Sequence, residues 1–187
     1  MIDRPRVLSV NLATERVVRF GGRDVRTGIY KEPAAGRVRL RALGLAGDFQ
    51  ADPNVHGGPD KAVYVYPSEH YPYFRGLLGR ADLSPGFFGE NLTTEGLLEE
   101  GVRVGDVFRV GTAVVQVTTP RSPCFKLGAR AGSPAFVATF LNSRRLGFYL
   151  SVVEEGEVGA GDAIRSIAAA GGPTLARFIE ERYFRAK

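Results

Sequence analysis

The chemistry available to this 187-residue chain concentrates in three short stretches. The first is Pro120-Arg121-Ser122-Pro123-Cys124-Phe125-Lys126-Leu127-Gly128, which holds the sole cysteine between two cations on backbone stiffened by prolines. If Arg121 and Lys126 lie close, they favour the thiolate, the form that attacks electrophiles and binds metals. The same cysteine beside Phe125 also reads as a small buried hydrophobe. The second stretch runs Gly47-Asp48-Phe49-Gln50-Ala51-Asp52 and then Val55-His56-Gly57-Gly58-Pro59-Asp60-Lys61-Ala62. Adjacent glycines let backbone amides approach an anion, Lys61 adds a compact positive charge, and His56 can carry a proton near neutrality. Gly-Gly-Pro is equally a turn, and a lone histidine is equally a structural residue. The third, Gly86-Phe87-Phe88-Gly89-Glu90-Asn91-Leu92, sets two polar side chains in an apolar run. Glu90 and Asn91 either face a ligand or cap the backbone of their own loop.

Composition limits what these stretches can be. One cysteine forbids an intramolecular disulfide, and with only His56 and His70 beside it no Cys/His-rich zinc or iron–sulfur motif exists. Lysine and arginine number 25 against 20 acidic residues, a net +5 that suits anionic ligands. Without a basic helix or an aromatic-basic strand motif, a nucleic-acid partner is not expected. The amino-terminal apolar stretch, residues 7–12, is broken by Ser9 and Asn11, too short and polar for a secretory leader. No apolar run approaches the ~20 residues of a bilayer span. A soluble, cytoplasmic protein with no membrane partner is the expectation.

The scaffold must turn often, because 24 glycines and 11 prolines punctuate it. Strand-like segments rich in Val, Ile, Tyr and Phe recur at residues 7–12, 16–20, 25–30, 37–43 and 62–66, then at 107–110, 113–119, 148–153 and 163–167. Three helices are predicted: one begun by Ser68 and running through Leu78, one begun by Ser133-Pro134, and one begun by Thr174. Many short alternating strands with few intervening helices predict a mainly β fold, an antiparallel β-barrel with a few peripheral helices. The barrel domain is expected over residues 1–167 and a short helical appendage over 168–187.

The order and content of the stretches resemble the MOSC family, named for the carboxy-terminal domain of molybdenum cofactor sulfurase. The likeness is to its stand-alone bacterial, YiiM-like type, linked to resistance against 6-hydroxylaminopurine. It rests on residues 27–33, 44–52, 55–64, 66–71, 88–92, 104–106 and 120–127, and extends over about residues 7 to 167. Longer members carry a three-helix extension; here only residues 174–184 remain for helix. The resemblance implies a β-barrel that holds a molybdopterin cofactor, with Cys124 as the protein ligand to molybdenum. Lys31, Lys61, Arg121 and Lys126 become candidate partners for the pterin phosphate, with the Gly57 and Gly58 amides a candidate nest. The implied reaction is reduction of N-hydroxylated bases, in which His56 or Asn91 donates a proton or positions substrate. A single cysteine and no Gly-x-Gly-x-x-Gly after a strand leave no site for an iron–sulfur cluster or dinucleotide, so an external electron-donor protein is expected. Three other readings stand beside this one. They are a cofactor carrier or sulfuration module, a metal-free cysteine hydrolase or transferase using Cys124 and His56 with Asn91 orienting, and a non-enzymatic anion- or nucleic-acid-binding module. The active-site readings require Cys124, His56 and Lys61 to meet in one cleft.

Overall fold

The computed structural model describes residues 5–51 and 57–185, so His56 lies outside the described residues. The chain begins with β1 (Arg6–Leu12), then the hairpin β2 (Arg16–Phe20) and β3 (Arg23–Thr27). Phe20 pairs with Arg23 across Gly21-Gly22, both at positive φ (59° and 79°), the tight turn that matches strand twist. Short β4 (Glu32–Pro33), β5 (Val38–Arg41) and β6 (Gly44–Leu45) follow. In β5, Val38 and Leu40 face inward and Arg39 and Arg41 face water, the period-two pattern visible in sequence.

After a 3-10 turn at Pro59–Lys61 comes β7 (Val63–Pro67), buried along its whole length. The expected helix from Ser68 starts as a 3-10 turn, Ser68–His70, and becomes α1 only over Tyr71–Leu78, with Pro72 tolerated in its first turn and Gly79 (φ 61°) closing it. Then come β8 (Leu92–Glu95), β9 (Val107–Val110) and β10 (Ala113–Pro120). Two short helices, α2 (Phe125–Ala131) and α3 (Phe136–Asn142), precede β11 (Phe148–Glu154), β12 (Gly156–Val158) and β13 (Ile164–Ala168). The last element is α4 (Leu175–Tyr183), whose amino terminus is capped by the Thr174 hydroxyl accepting from the Arg177 amide.

The strands form an eight-stranded sheet, β13-β9-β10-β11-β7-β8-β1-β4, with β12-β5-β6 and the β2-β3 ribbon beside it. The expectation of an antiparallel sheet is corrected at one place: β7 and β8 run parallel, Val65 opposite Leu92. Residues 68–91 intervene, long enough to return the chain to the same end of the sheet by way of α1 before β8 enters, as a parallel pair requires. No closed barrel is found among the described residues. The ends of the sheet meet by a single antiparallel bridge, Arg6 with Ala163, and by bonds such as Val7 N–H to Asp162 O (2.9 Å).

Two apolar clusters hold the layers together. One, including Val7, Leu40, Val63, Leu92, Val115, Leu150 and Leu175, joins strands of the eight-stranded sheet to β5 and α4. The other is aromatic and joins β7 to the helices through Tyr66, Phe74, Phe88, Phe140 and Ile179. Tyr66 and Phe88 sit 4.4 Å apart by ring centroids, and Phe74 and Phe140 5.3 Å. Through Leu175 and Ile179, α4 contributes to both clusters. Among the described residues no helix is long and apolar enough to cross a membrane.

Candidate functional site

A cleft opens where the segment after β3, the residue 48–51 loop, the start of β7, the end of the 86–91 loop and the segment after β10 converge. It is lined by Thr27, Gly28, Ile29 and Lys31, by Asp48 to Ala51, by Lys61 and Tyr64, by Gly89 and Asn91, and by Arg121, Cys124, Lys126 and Tyr149. Two glycines set how closely these segments approach. A Cβ on Gly28 would lie 2.1 Å from the Phe49 carbonyl oxygen, and one on Gly86 (φ 88°) 2.6 Å from that of Lys31.

Cys124 is half-buried and engaged in no disulfide. It occupies the residue before α2 with extended backbone (φ −131°, ψ 171°), and its carbonyl accepts the Leu127 amide at 2.9 Å. The sheet aims this segment. At the end of β10 the Arg121 amide donates to Gly147 O at 3.1 Å, and the Ser122 hydroxyl contacts that of Tyr183 on α4. Arg121 is only 5% exposed. Its Nη1 donates to the Phe88 carbonyl, and its guanidinium lies 4.6 Å from the Tyr64 ring centroid and 5.9 Å from that of Phe140. Burial opposes the charge, but Tyr64, Tyr149 and Cys124 outweigh it and hold the guanidinium above its usual range. Its buried Nε has no hydrogen-bond partner.

Opposite this cation sits a buried ion pair. Lys31 Nζ reaches both Asp48 oxygens at 2.5 Å, with side chains 7% and 2% exposed. Asp48 also accepts the Ala13 amide (2.8 Å) and Asn91 Nδ2 (2.8 Å). Asn91 in turn accepts the Tyr64 amide on Oδ1 at 3.1 Å, so both ends of its amide are committed and its place between β7 and β8 is fixed. Burial pulls the Lys31 pKa below the ordinary lysine value, against the opposing influence of Asp48 and Glu90 and with that of Arg121.

Glu90 is fully buried behind the cleft. It accepts from the Tyr71 hydroxyl, from Thr93 Oγ1 (2.8 Å) and from the Gly86 (2.8 Å) and Phe88 (3.1 Å) amides. It therefore caps its own loop, whereas the neighbouring Asn91 lines the cleft.

Of the residues singled out by sequence, Cys124, Asn91, Lys31, Lys61, Arg121 and Lys126 share this cleft. Gly57 and Gly58 are not among its lining residues, and His56 is outside the described residues. His70 lies elsewhere, buried on Glu99 at 2.7 Å. Sequence reasoning passed over Asp48, Tyr64 and Tyr149. Asp48 stood in the Gly47-Asp48 turn, but nothing local revealed a lysine 17 positions upstream as its partner.

A mainly β scaffold places one half-buried thiol in a cleft with lysines and an arginine, a lining whose chemistry suits an anionic, soft-metal-bearing or electrophilic ligand. The chain belongs to the MOSC domain family, whose profile matches residues 52–165. It is 48% identical over 159 residues to a Bacillus subtilis (strain 168) protein designated YflK, covering 85% of this chain and 72% of that one. A Gibberella moniliformis protein named "Reductase" is 34% identical over 151 residues, 76% of this chain but only 26% of that protein. The crystal structure of YiiM from Geobacillus stearothermophilus superposes with a TM-score of 0.80 at 32% identity, covering 96% of this chain and 84% of that one.

Proposed function

We propose that the cleft binds the molybdenum cofactor with Cys124 as the protein's metal ligand, and that the loaded protein reduces N-hydroxylated bases of the 6-hydroxylaminopurine type. The observation that carries this reading is the donor set. A half-buried thiol shares one cleft with Lys61, Lys126 and Arg121, and the buried Arg121 Nε has no partner of its own. A thiolate suits a metal already held by sulfur, and fixed cations suit the phosphate that the pterin carries. Among the described residues no three His, Cys, Asp or Glu side chains gather as a metal site, so the metal would arrive with ligands of its own. The family's name and the name of the fungal relative support the same reading.

The residues then divide the work. Cys124 holds the metal, while Lys61, Lys126 and Arg121 hold the phosphate. The bound cofactor supplies the two-electron centre. Tyr64, Tyr149 and the aromatic cluster beneath exclude water behind Arg121, which keeps its charge effective in a dry wall. Asn91 keeps Asp48 on Lys31. Electrons come from an external donor protein, in the cytoplasm.

The test is molybdenum and pterin analysis of protein made in a host that synthesises the cofactor, followed by reduction of 6-hydroxylaminopurine with an artificial donor. Stoichiometric metal and pterin with turnover are expected. Metal and pterin without turnover would instead make the protein a carrier or sulfuration module. A metal-free protein that hydrolyses or transfers through Cys124 would overturn the reading.

A further inference from the structure

We propose that Lys31 is the acid that protonates the departing hydroxyl in the reduction, held on station by Asp48, which Asn91 in turn positions. This rests on the reductase reading above and gives Lys31 a role other than phosphate binding. The reason lies in how the ammonium is held. Both Asp48 oxygens lie 2.5 Å from Nζ, an ammonium with three N–H donors for two acceptors, and Lys31 is one of the residues that line the cleft. A phosphate anchor is poorly served by a cation already neutralised by a bidentate carboxylate. A proton donor is well served, because the carboxylate fixes the orientation of the ammonium and favours its reprotonation after each transfer.

The surroundings adjust how tightly that proton is held. Lys31 is faced by Asp48, Glu90 and Arg121, and the cleft wall adds Lys61, Lys126, Cys124 and the Tyr64 and Tyr149 phenols. Burial moves its pKa down from the ordinary lysine value and so loosens the proton, Asp48 and Glu90 limit the fall, and Arg121 adds to it.

The step balances as R–NH–OH + 2 e⁻ + 2 H⁺ → R–NH2 + H2O. The N–O bond breaks as Lys31 transfers its proton to the departing hydroxyl, which leaves as water. The two electrons originate in the external donor protein, the second proton reaches nitrogen from solvent, and the neutral Lys31 amine is reprotonated through the cleft mouth.

The variant Lys31→Arg separates the two roles, since arginine keeps the charge but does not release a proton near neutrality. Cofactor-loaded Lys31→Arg should retain molybdenum and pterin at the wild-type level and lose at least about a hundredfold in kcat, the usual scale of general acid catalysis. Lys31→Ala should regain rate in added ethylammonium. Asp48→Asn should move the alkaline limb of the kcat profile to lower pH, because the buried ammonium loses its counter-charge. Independently of turnover, an NMR titration of the Lys31 side chain should give a midpoint below ordinary lysine, lower again in Asp48→Asn. Loss of cofactor from Lys31→Arg, unchanged kcat in that variant, or a Lys31 midpoint at or above the ordinary value would overturn the assignment. If wild-type protein holds cofactor but reduces nothing, the reductase reading itself fails, an outcome separable from failure of the Lys31 variants in an active background.

Discussion

Replacing Glu90 tests whether the cleft wall depends on a carboxylate that never meets solvent. Four donors end on it: two amides of its own loop, the Tyr71 hydroxyl and the Thr93 hydroxyl. In Glu90→Ala these donors lose their acceptor where no water replaces it, at about 1 to 1.5 kcal/mol each, or roughly 4 to 6 kcal/mol in all. Relief of the carboxylate's own desolvation returns part of this, leaving about 3 to 5 kcal/mol, a large share of the roughly 5–15 kcal/mol typical of a domain. Glu90→Gln keeps one acceptor and turns an amide donor on the remaining donors, so about 1 to 3 kcal/mol is expected. Burial raises the Glu90 pKa against the lowering influence of its hydrogen bonds. A folded value above the unfolded one means that the contribution is fully present below the unfolded pKa and is lost as pH rises through the folded pKa. The gap between wild type and Glu90→Gln should therefore be wider near pH 4 than at pH 7. The chain has no tryptophan, so urea unfolding followed by far-UV circular dichroism at the two pH values is the assay. A loss under 1 kcal/mol in Glu90→Ala, or a gap that widens with pH, would refute the reasoning.

Three further outcomes are expected. Cys124→Ala should leave the melting temperature within a few degrees of wild type, since a half-buried thiol opens no core cavity, but should abolish molybdenum retention and turnover; alkylation of Cys124 should be rapid in the apo protein and blocked in the loaded one. Gly28→Ala should cost about 1 to 3 kcal/mol and weaken cofactor retention, because its Cβ meets the Phe49 carbonyl at 2.1 Å and backbone cannot swing away; wild-type stability and retention would contradict the close approach. Asp48→Ala should destabilise by about 3 to 5 kcal/mol at neutral pH by stranding the Lys31 ammonium. Because burial already lowers the Lys31 pKa, the unfolded chain holds that proton more tightly than the folded one. Stability should then recover as pH climbs from the folded Lys31 value towards ~10.4, and a deficit independent of pH in thermal melts would disprove this.

Local signals were legible where a residue type has one structural use. Gly21-Gly22 marks the β2–β3 hairpin, the alternation of Val38 and Leu40 with arginines marks β5, and Thr174 caps α4. Where packing decides, the sequence was mute. Leu92-Thr93-Thr94-Glu95 lacks an apolar stripe, yet β8 is central because its neighbours β7 and β1 cover it, and only that placement makes β7–β8 parallel. The helix α2 went unread because Gly128 weakens its propensity; Gly128 is instead where α2 packs tightly against Pro134. At the site, residue chemistry pointed to Cys124, Lys61, Arg121 and Lys126, which do share a cleft. The pairing of Lys31 with Asp48 spans separate segments, and no local spacing encodes it. Glu90 followed the plainer of its two readings, a cap for its own loop.

The parallel pair β7–β8 bears on how the cleft comes into being during folding. Asn91 donates its amide to Tyr64 O at 2.8 Å and accepts the Tyr64 amide on its side chain, so these two neighbours are joined only after the intervening chain has closed on itself. The remaining walls come from residues 27–31, 48–51 and 121–126, separate segments of the chain. Contacts of this kind carry loop-closure entropy before they return any stability, which makes them late and slow relative to a local hairpin such as β2–β3. No fragment shorter than residues 27–149 contains the cleft, and a nascent chain acquires all of its walls only once Tyr149 has joined the sheet. The cleft is thereby coupled to completed folding, with partly folded chains unable to present all of its walls.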